Sequence, residues 1–177
     1  MWKKIRYAVA VCILCVLCAS TVAAEDAAPT AVRMEKPEYI ELVLVLDKSG
    51  SMQGLESDTI GFNSMIEKQK ELAIPVRVTA VLFNDEMDVL YAHKGIRYVR
   101  PLTAKEYEVG GTTALLDAVG NTILRVEREP AVTREGTKVI FVIITDGLEN
   151  ASTEFSKEKI KEMISDKQEM EGWDFIY

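Results

Sequence analysis

Three short polar segments hold the side chains whose types and spacing could do chemistry. Asp47-Lys48-Ser49-Gly50-Ser51-Met52 places one carboxylate and two hydroxyls at alternate positions. Gly110-Gly111-Thr112-Thr113 offers further hydroxyls, and Thr145-Asp146-Gly147 a second carboxylate. Singly, each reads as ordinary turn or helix-cap chemistry. Together they form a hard, oxygen-only donor set of the kind that suits Mg2+ or Mn2+.

That reading requires elements that bring the three segments to one place. Each follows a strand-like run or precedes a helix-like one. Ile40 to Leu46 is a nearly continuous aliphatic run, as expected for a strand buried on both faces. Val76 to Phe83 and Val139 to Ile144 are two more. Between them lie helical faces: Leu55, Phe62, Ile66 and Leu72, then Leu115, Ala118, Val119, Thr122, Ile123 and Val126, then Ile160, Met163 and Ile164. Alternating strands and helices predict an α/β fold with three layers, a doubly wound and mostly parallel sheet covered on both faces. Met87 to Tyr91 follows the second strand too closely for a crossover, so it is expected as an antiparallel edge strand. Thr103-Ala104-Lys105-Glu106 has capping-box spacing and could start a short helix. Ligands of such sheets bind outside the carboxyl ends of the strands, where all three polar segments fall.

Composition narrows the chemistry. The 177 residues carry a net charge of −7, which argues against nucleic acid as the main partner. The single histidine, His93, disfavours a poly-His zinc site and a His-based triad. The first 24 residues have the order of a secretory signal: a basic start around Lys3, Lys4 and Arg6, an uncharged apolar run, and Val22-Ala23-Ala24 before Glu25. The expected organisation is a signal peptide at 1–24, an Ala/Pro/Thr-rich linker at 25–38 and one domain at 39–177. The location is then secreted or periplasmic, with a signal-anchored membrane protein as the alternative if the run is not cleaved. Cys12, Cys15 and Cys18 all lie in the signal, so the mature chain would contain no cysteine and no disulfide scaffold. It also loses three basic residues, leaving 18 against 28 acidic and a net −10.

Asp47-x-Ser49-x-Ser51 after a hydrophobic strand, Gly-Thr before a helix, and Thr145-Asp146-Gly147 after a later strand together resemble the von Willebrand factor A (vWA) domain of bacterial type, with its metal-ion-dependent adhesion site (MIDAS). The resemblance runs from about Tyr39 to the C-terminus. It implies that Ser49 and Ser51 coordinate an ion through their hydroxyls, with Asp47 and Asp146 close by, directly or through water. The family threonine lies four residues before an Asp, which selects Thr113 ahead of Asp117, with Thr112 as the fallback. The implied ion is Mg2+, with Mn2+ or Ca2+ as alternatives. The implied partner is a protein presenting an Asp or Glu carboxylate to the ion. The resemblance also calls for a six-stranded sheet, whereas Trp173 to Tyr177 would be only the fifth strand. The domain is therefore expected to be C-terminally truncated, lacking a final helix, strand and helix.

Rival functions meet specific obstacles. An Mg2+-dependent phosphohydrolase would need an acid two residues after Asp47, where Ser49 stands. Subtilisin-like chemistry needs a histidine after a parallel strand, and His93 follows the expected edge strand. An assembly subunit of an ATPase or chelatase-type complex is the other alternative. His93 itself reads as a solvated loop residue. Glu149 and Asn150 could support the metal residues from behind or sit in a solvated loop.

Overall fold

The computed structural model describes residues 37–54 and 57–177. The expected signal peptide, most of the expected linker and Leu55 lie outside the described residues. Five strands form one sheet: β1 (Tyr39–Asp47), β2 (Val76–Phe83), β3 (Met87–Gly95), β4 (Thr137–Ile144) and β5 (Asp174–Ile176). Among the described residues three α-helices alternate with them: α1 (Ser57–Lys70), α2 (Leu115–Glu127) and α3 (Lys157–Glu171). The sheet order is β3-β2-β1-β4-β5. β1 pairs in parallel with β2 and β4, β4 pairs in parallel with β5, and β2–β3 is antiparallel at the edge. The expected doubly wound α/β architecture is therefore present.

The two-residue period of the strands divides the core. On β1, Ile40, Leu42, Leu44 and Leu46 pack toward α1, against Phe62 and Ile66, with Val78, Ala80 and Leu82 of β2 alongside. Val43 and Val45 face the other way. There they meet Phe141 of β4, Ala118, Val119, Ile123 and Val126 of α2, and Ile160 of α3. A central strand buried on both faces cannot alternate with polar residues, which is why its sequence is an aliphatic run. Trp173 and Phe175 close the second core, with the Phe175 ring centroid 5.0 Å from that of Phe141.

Helix ends follow local chemistry. The Ser156 hydroxyl accepts the Lys159 N–H at 3.2 Å at the start of α3. Gly172, at φ 65°, ends that helix in the left-handed region. The Thr103–Glu106 pair also forms as its spacing predicts, with the Thr103 N–H and hydroxyl both donating to Glu106 Oε2 at 2.9 Å. The segment makes one turn there and does not continue into a helix.

His93 corrects the sequence reading. β3 extends to Gly95, and His93 lies within it at φ 49°, where the β2–β3 register shifts. Its Nδ1 is 3.1 Å from Oε1 of Glu41, a carboxylate with no solvent exposure. Glu41 also accepts from Thr79 Oγ1 at 2.8 Å and from the Tyr39 hydroxyl at 2.9 Å. Burial, with the adjoining Glu41 charge, raises the Tyr39 phenol well above its ordinary value. The histidine is thus one partner of a buried carboxylate. A sequence offers no sign of this, because the partners come from three different strands.

Candidate metal centre

The strand order reverses beside β1, since the chain moves from β1 to β2 on one side and later to β4 on the other. The crevice at such a switch point opens at the carboxyl ends of the strands. Asp47 ends β1, and the parallel register pairs Leu46 with Ile144, so Thr145 arrives beside Asp47. Thr145 Oγ1 donates to Asp47 Oδ2 at 2.5 Å, and Thr145 in turn accepts the Gly147 N–H at 3.1 Å.

The other Asp47 oxygen, Oδ1, accepts the Ser49 N–H at 2.7 Å, which curls the chain into a short 3-10 helix, Gly50–Met52. That turn brings Ser49 Oγ to 3.1 Å from Ser51 Oγ. Around it, the Tyr107 hydroxyl donates to the Asp47 carbonyl, and the Gly50 N–H donates to the Gly111 carbonyl at 3.1 Å. The Gly110 N–H donates to the Lys48 carbonyl at 2.9 Å. The loop ahead of α2 is in this way laced to the loop after β1. Gly111 takes φ 77°, a left-handed conformation that favours glycine, and a β-carbon there would lie 2.0 Å from Asp85 Oδ1, so the Asp85 side chain would have to move.

The donor oxygens converge on one point. A β-carbon built on Gly147 would lie 3.0 Å from Thr113 Oγ1, 3.1 Å from Asp47 Oδ2 and 3.2 Å from Ser51 Oγ. Three oxygens from three segments thus surround a space that glycine leaves open. Thr113 is 3% exposed, and its Oγ1 makes no hydrogen bond among the described residues. A buried hydroxyl without a partner costs on the order of 1–3 kcal/mol, so it points to a group that belongs beside it. The helix does not use this hydroxyl, because the α2 N-cap is Ala114 with no side-chain cap bond. Thr112 is exposed, and its N–H is directed to Asp85.

Among the described residues no three His, Cys, Asp or Glu side chains gather to hold a metal. The converging set is instead one buried carboxylate with hydroxyls, and such oxygens fit a small, hard divalent cation. Of the five residues expected from the sequence, Asp47, Ser49, Ser51 and Thr113 are brought together. Asp146 lies next to Gly147 on the same loop, but it is exposed and makes no hydrogen bond or ion pair among the described residues. Thr145 is a residue that sequence reasoning left out, although the strand register that places it beside Asp47 was implicit in the aliphatic runs.

The loop behind Asp146 is held firmly. Asn150 grips Thr113 twice, its Oδ1 accepting the Thr113 N–H at 2.9 Å and its N–H donating to the Thr113 carbonyl at 3.0 Å. Glu149 accepts the Leu116 N–H at 3.0 Å from the first turn of α2. Burial pushes the Glu149 carboxyl up, but the hydrogen bonds from Ser152, Leu116 and Ala151 together outweigh it and hold it below the ordinary value.

No family model matches the sequence, and no curated protein matches it. Solved structures do. A von Willebrand factor type A protein from Catenulispora acidiphila superposes with a TM-score of 0.52 at 18% identity, over 78% of this chain and 32% of that one. The fold is that of a vWA domain. Proximal thread matrix protein 1 from the mussel byssus, solved with a zinc-occupied MIDAS motif, gives a vWA match of 0.51 at 20% identity, over 78% of this chain and 35% of that one. The PilB minor pilin from Streptococcus sanguinis gives 0.50 at 18% identity, over 64% of this chain and 31% of that one. The chain spans about a third of the length of these structures.

Proposed function

We propose that the protein is an exported, Mg2+-dependent protein-binding module. Asp47, Ser49, Ser51, Thr113 and Asp146 hold the ion, and a partner's Asp or Glu carboxylate completes its coordination. The observation that carries this reading is the convergence of Thr113 Oγ1, Asp47 Oδ2 and Ser51 Oγ around the open face of Gly147, with the buried Thr113 hydroxyl lacking a partner.

When bound, the cation would supply a hard, electrophilic centre at the crevice. Three of its five protein donors would be neutral hydroxyls, weaker donors than carboxylates, which favours an incoming carboxylate as a further ligand. The chain's own residues divide the remaining work. Thr145 orients Asp47 by donating to Oδ2, the Ser49 N–H fixes Oδ1, and the Tyr107 hydroxyl fixes the Asp47 backbone. Binding is favoured over catalysis because His93 sits six residues back along the sheet against Glu41, about 20 Å away by strand rise. Export is supported by the basic, apolar, small-residue order of the first 24 residues. A minor pilin and a byssus matrix protein among similar structures agree with a role outside the cell.

The test is calorimetric titration of Mg2+ into the chain and into Asp47→Ala. Heat of binding and a raised melting temperature are expected for the first and neither for the second. If the two behave alike, the metal assignment fails. Binding to a protein partner is expected to disappear with EDTA and return with excess Mg2+.

A further inference from the structure

Between β4 and α3 the chain runs through residues 145–156 without regular structure, yet this segment is held by an unusual concentration of hydrogen bonds to two carboxylates. Asp117, in the first turn of α2, accepts the N–H groups of Thr153 at 2.7 Å and of Glu154 and Phe155 at 2.9 Å. Its own N–H donates to Ser152 Oγ at 3.1 Å. Glu149 returns the arrangement from the loop side. Its Oε1 accepts from the Ala151 and Ser152 N–H groups at 3.0 and 2.8 Å, and its Oε2 from the Ser152 hydroxyl and the Leu116 N–H at 2.7 and 3.0 Å. The Phe155 ring then lies over Gly120, where an added β-carbon would come within 2.8 Å of it.

We infer that Asp117 and Glu149 are positioning residues for the cation site, forming with Asn150 a clamp that locks segment 145–156 to the start of α2 before any ion arrives. The inference rests on the metal reading above. The clamp spans the two segments that must stay in register for the site to exist. One is the start of α2, which follows Thr113. The other is the loop that begins with Thr145, Asp146 and Gly147. Without it, the position of the Gly147 open face relative to Thr113 Oγ1 would depend on a twelve-residue connection with no internal ladder. Carboxylates suit this task better than hydroxyls, since hydrogen bonds to a charged acceptor are about twice as strong as neutral ones. Spent on backbone N–H groups, the two acids also do not compete with Asp47 for the ion. The ordering cost of the loop is met on folding and need not be met again on binding.

Residues that orient metal ligands typically change affinity 10–100-fold when replaced. Mg2+ titration of the full chain is therefore expected to show 10–100-fold weaker binding for Asp117→Asn and Glu149→Gln, with far-UV circular dichroism unchanged. Metal-free samples of both variants should also exchange the amides of Ala151 to Phe155 faster, while those of β4 stay protected. Ser152→Ala removes two bonds of the clamp without touching charge and should weaken Mg2+ binding several-fold. Thr79→Val, beside Glu41 and away from the site, serves as a destabilised control that binds Mg2+ like the original chain. Affinities within twofold of the original in the Asp117, Glu149 and Ser152 variants would overturn the positioning role. An equal loss in Thr79→Val would overturn it too, by showing general instability as the cause. An original chain that takes up no Mg2+ would instead remove the metal reading itself.

Discussion

Thr145 Oγ1 donates to Asp47 Oδ2 at 2.5 Å, and the same carboxylate oxygen faces the open side of Gly147. The hydroxyl therefore decides which way Asp47 points. Thr145→Val keeps the shape and removes the donor, so Mg2+ affinity should fall about 10–100-fold. Thr145→Ser should retain most of it. A valine variant that binds Mg2+ like the parent in calorimetry would show that Asp47 needs no such guide.

Gly147→Ala tests the site from its other side. Gly147 has none of the positive φ that would penalise alanine, so the backbone accepts the change. The new methyl would lie about 3 Å from Thr113 Oγ1, Asp47 Oδ2 and Ser51 Oγ, inside the space the ion needs. Loss of Mg2+ binding is expected with little change in melting temperature of the metal-free chain. Retained binding would move the ion away from this cradle.

Glu149 gives the pH dependence. Its folded-state carboxyl lies below the ordinary value of 4.5, so its contribution to stability is complete above that value and is lost as pH falls through the folded one. Acid titration followed by amide exchange should show Ala151 and Ser152 losing protection below pH 4.5, and Glu149→Gln should remove that step. Protection that fades already between pH 6 and 7 would contradict this assignment.

Thr79→Val probes the buried acid at the other end of the sheet. Glu41 would lose the donor at 2.8 Å and keep Tyr39 and His93. Leaving a buried polar group short of a partner costs about 1–3 kcal/mol, which urea denaturation would report. A loss below 0.5 kcal/mol, small for such a site, would mean that the remaining donors re-arrange to cover both oxygens.

Gly120→Ala sets helix propensity against packing. Alanine gains up to about 1 kcal/mol in a helix interior, but its methyl would meet Phe155 at 2.8 Å. The ring must move, and with it the amides held by Asp117. A net fall in melting temperature is expected, and a rise would show that Phe155 shifts freely.

Much of the architecture was legible because burial on both faces leaves only aliphatic residues on β1 and because α2 repeats its apolar positions faithfully. The choice between Thr112 and Thr113 was legible only by analogy; Thr113 is buried and Thr112 exposed. Features made by distant partners were not legible. His93 looked solvated because Glu41, Thr79 and Tyr39 are brought to it only by strand pairing. Thr145 was read within the polar segment after the third run but given no role of its own, because its acceptor lies at the end of the neighbouring strand. Asp117 was legible only as the marker that selects Thr113, and Glu149 only as either a support behind the metal residues or a solvated loop acid, since most of their donors are backbone amides that no side-chain pattern reveals.

The bond between Thr145 and Asp47 joins residues 98 positions apart. Contacts of such sequence separation form late, after long loops have closed. On a ribosome, β1 would emerge about 5–20 s before Thr145 at ordinary synthesis rates. Until then Asp47 and its serines have no crevice to line. Under the proposed metal reading, Mg2+ uptake would accordingly mark the end of folding, and a nascent or misassembled copy would offer no site for the ion.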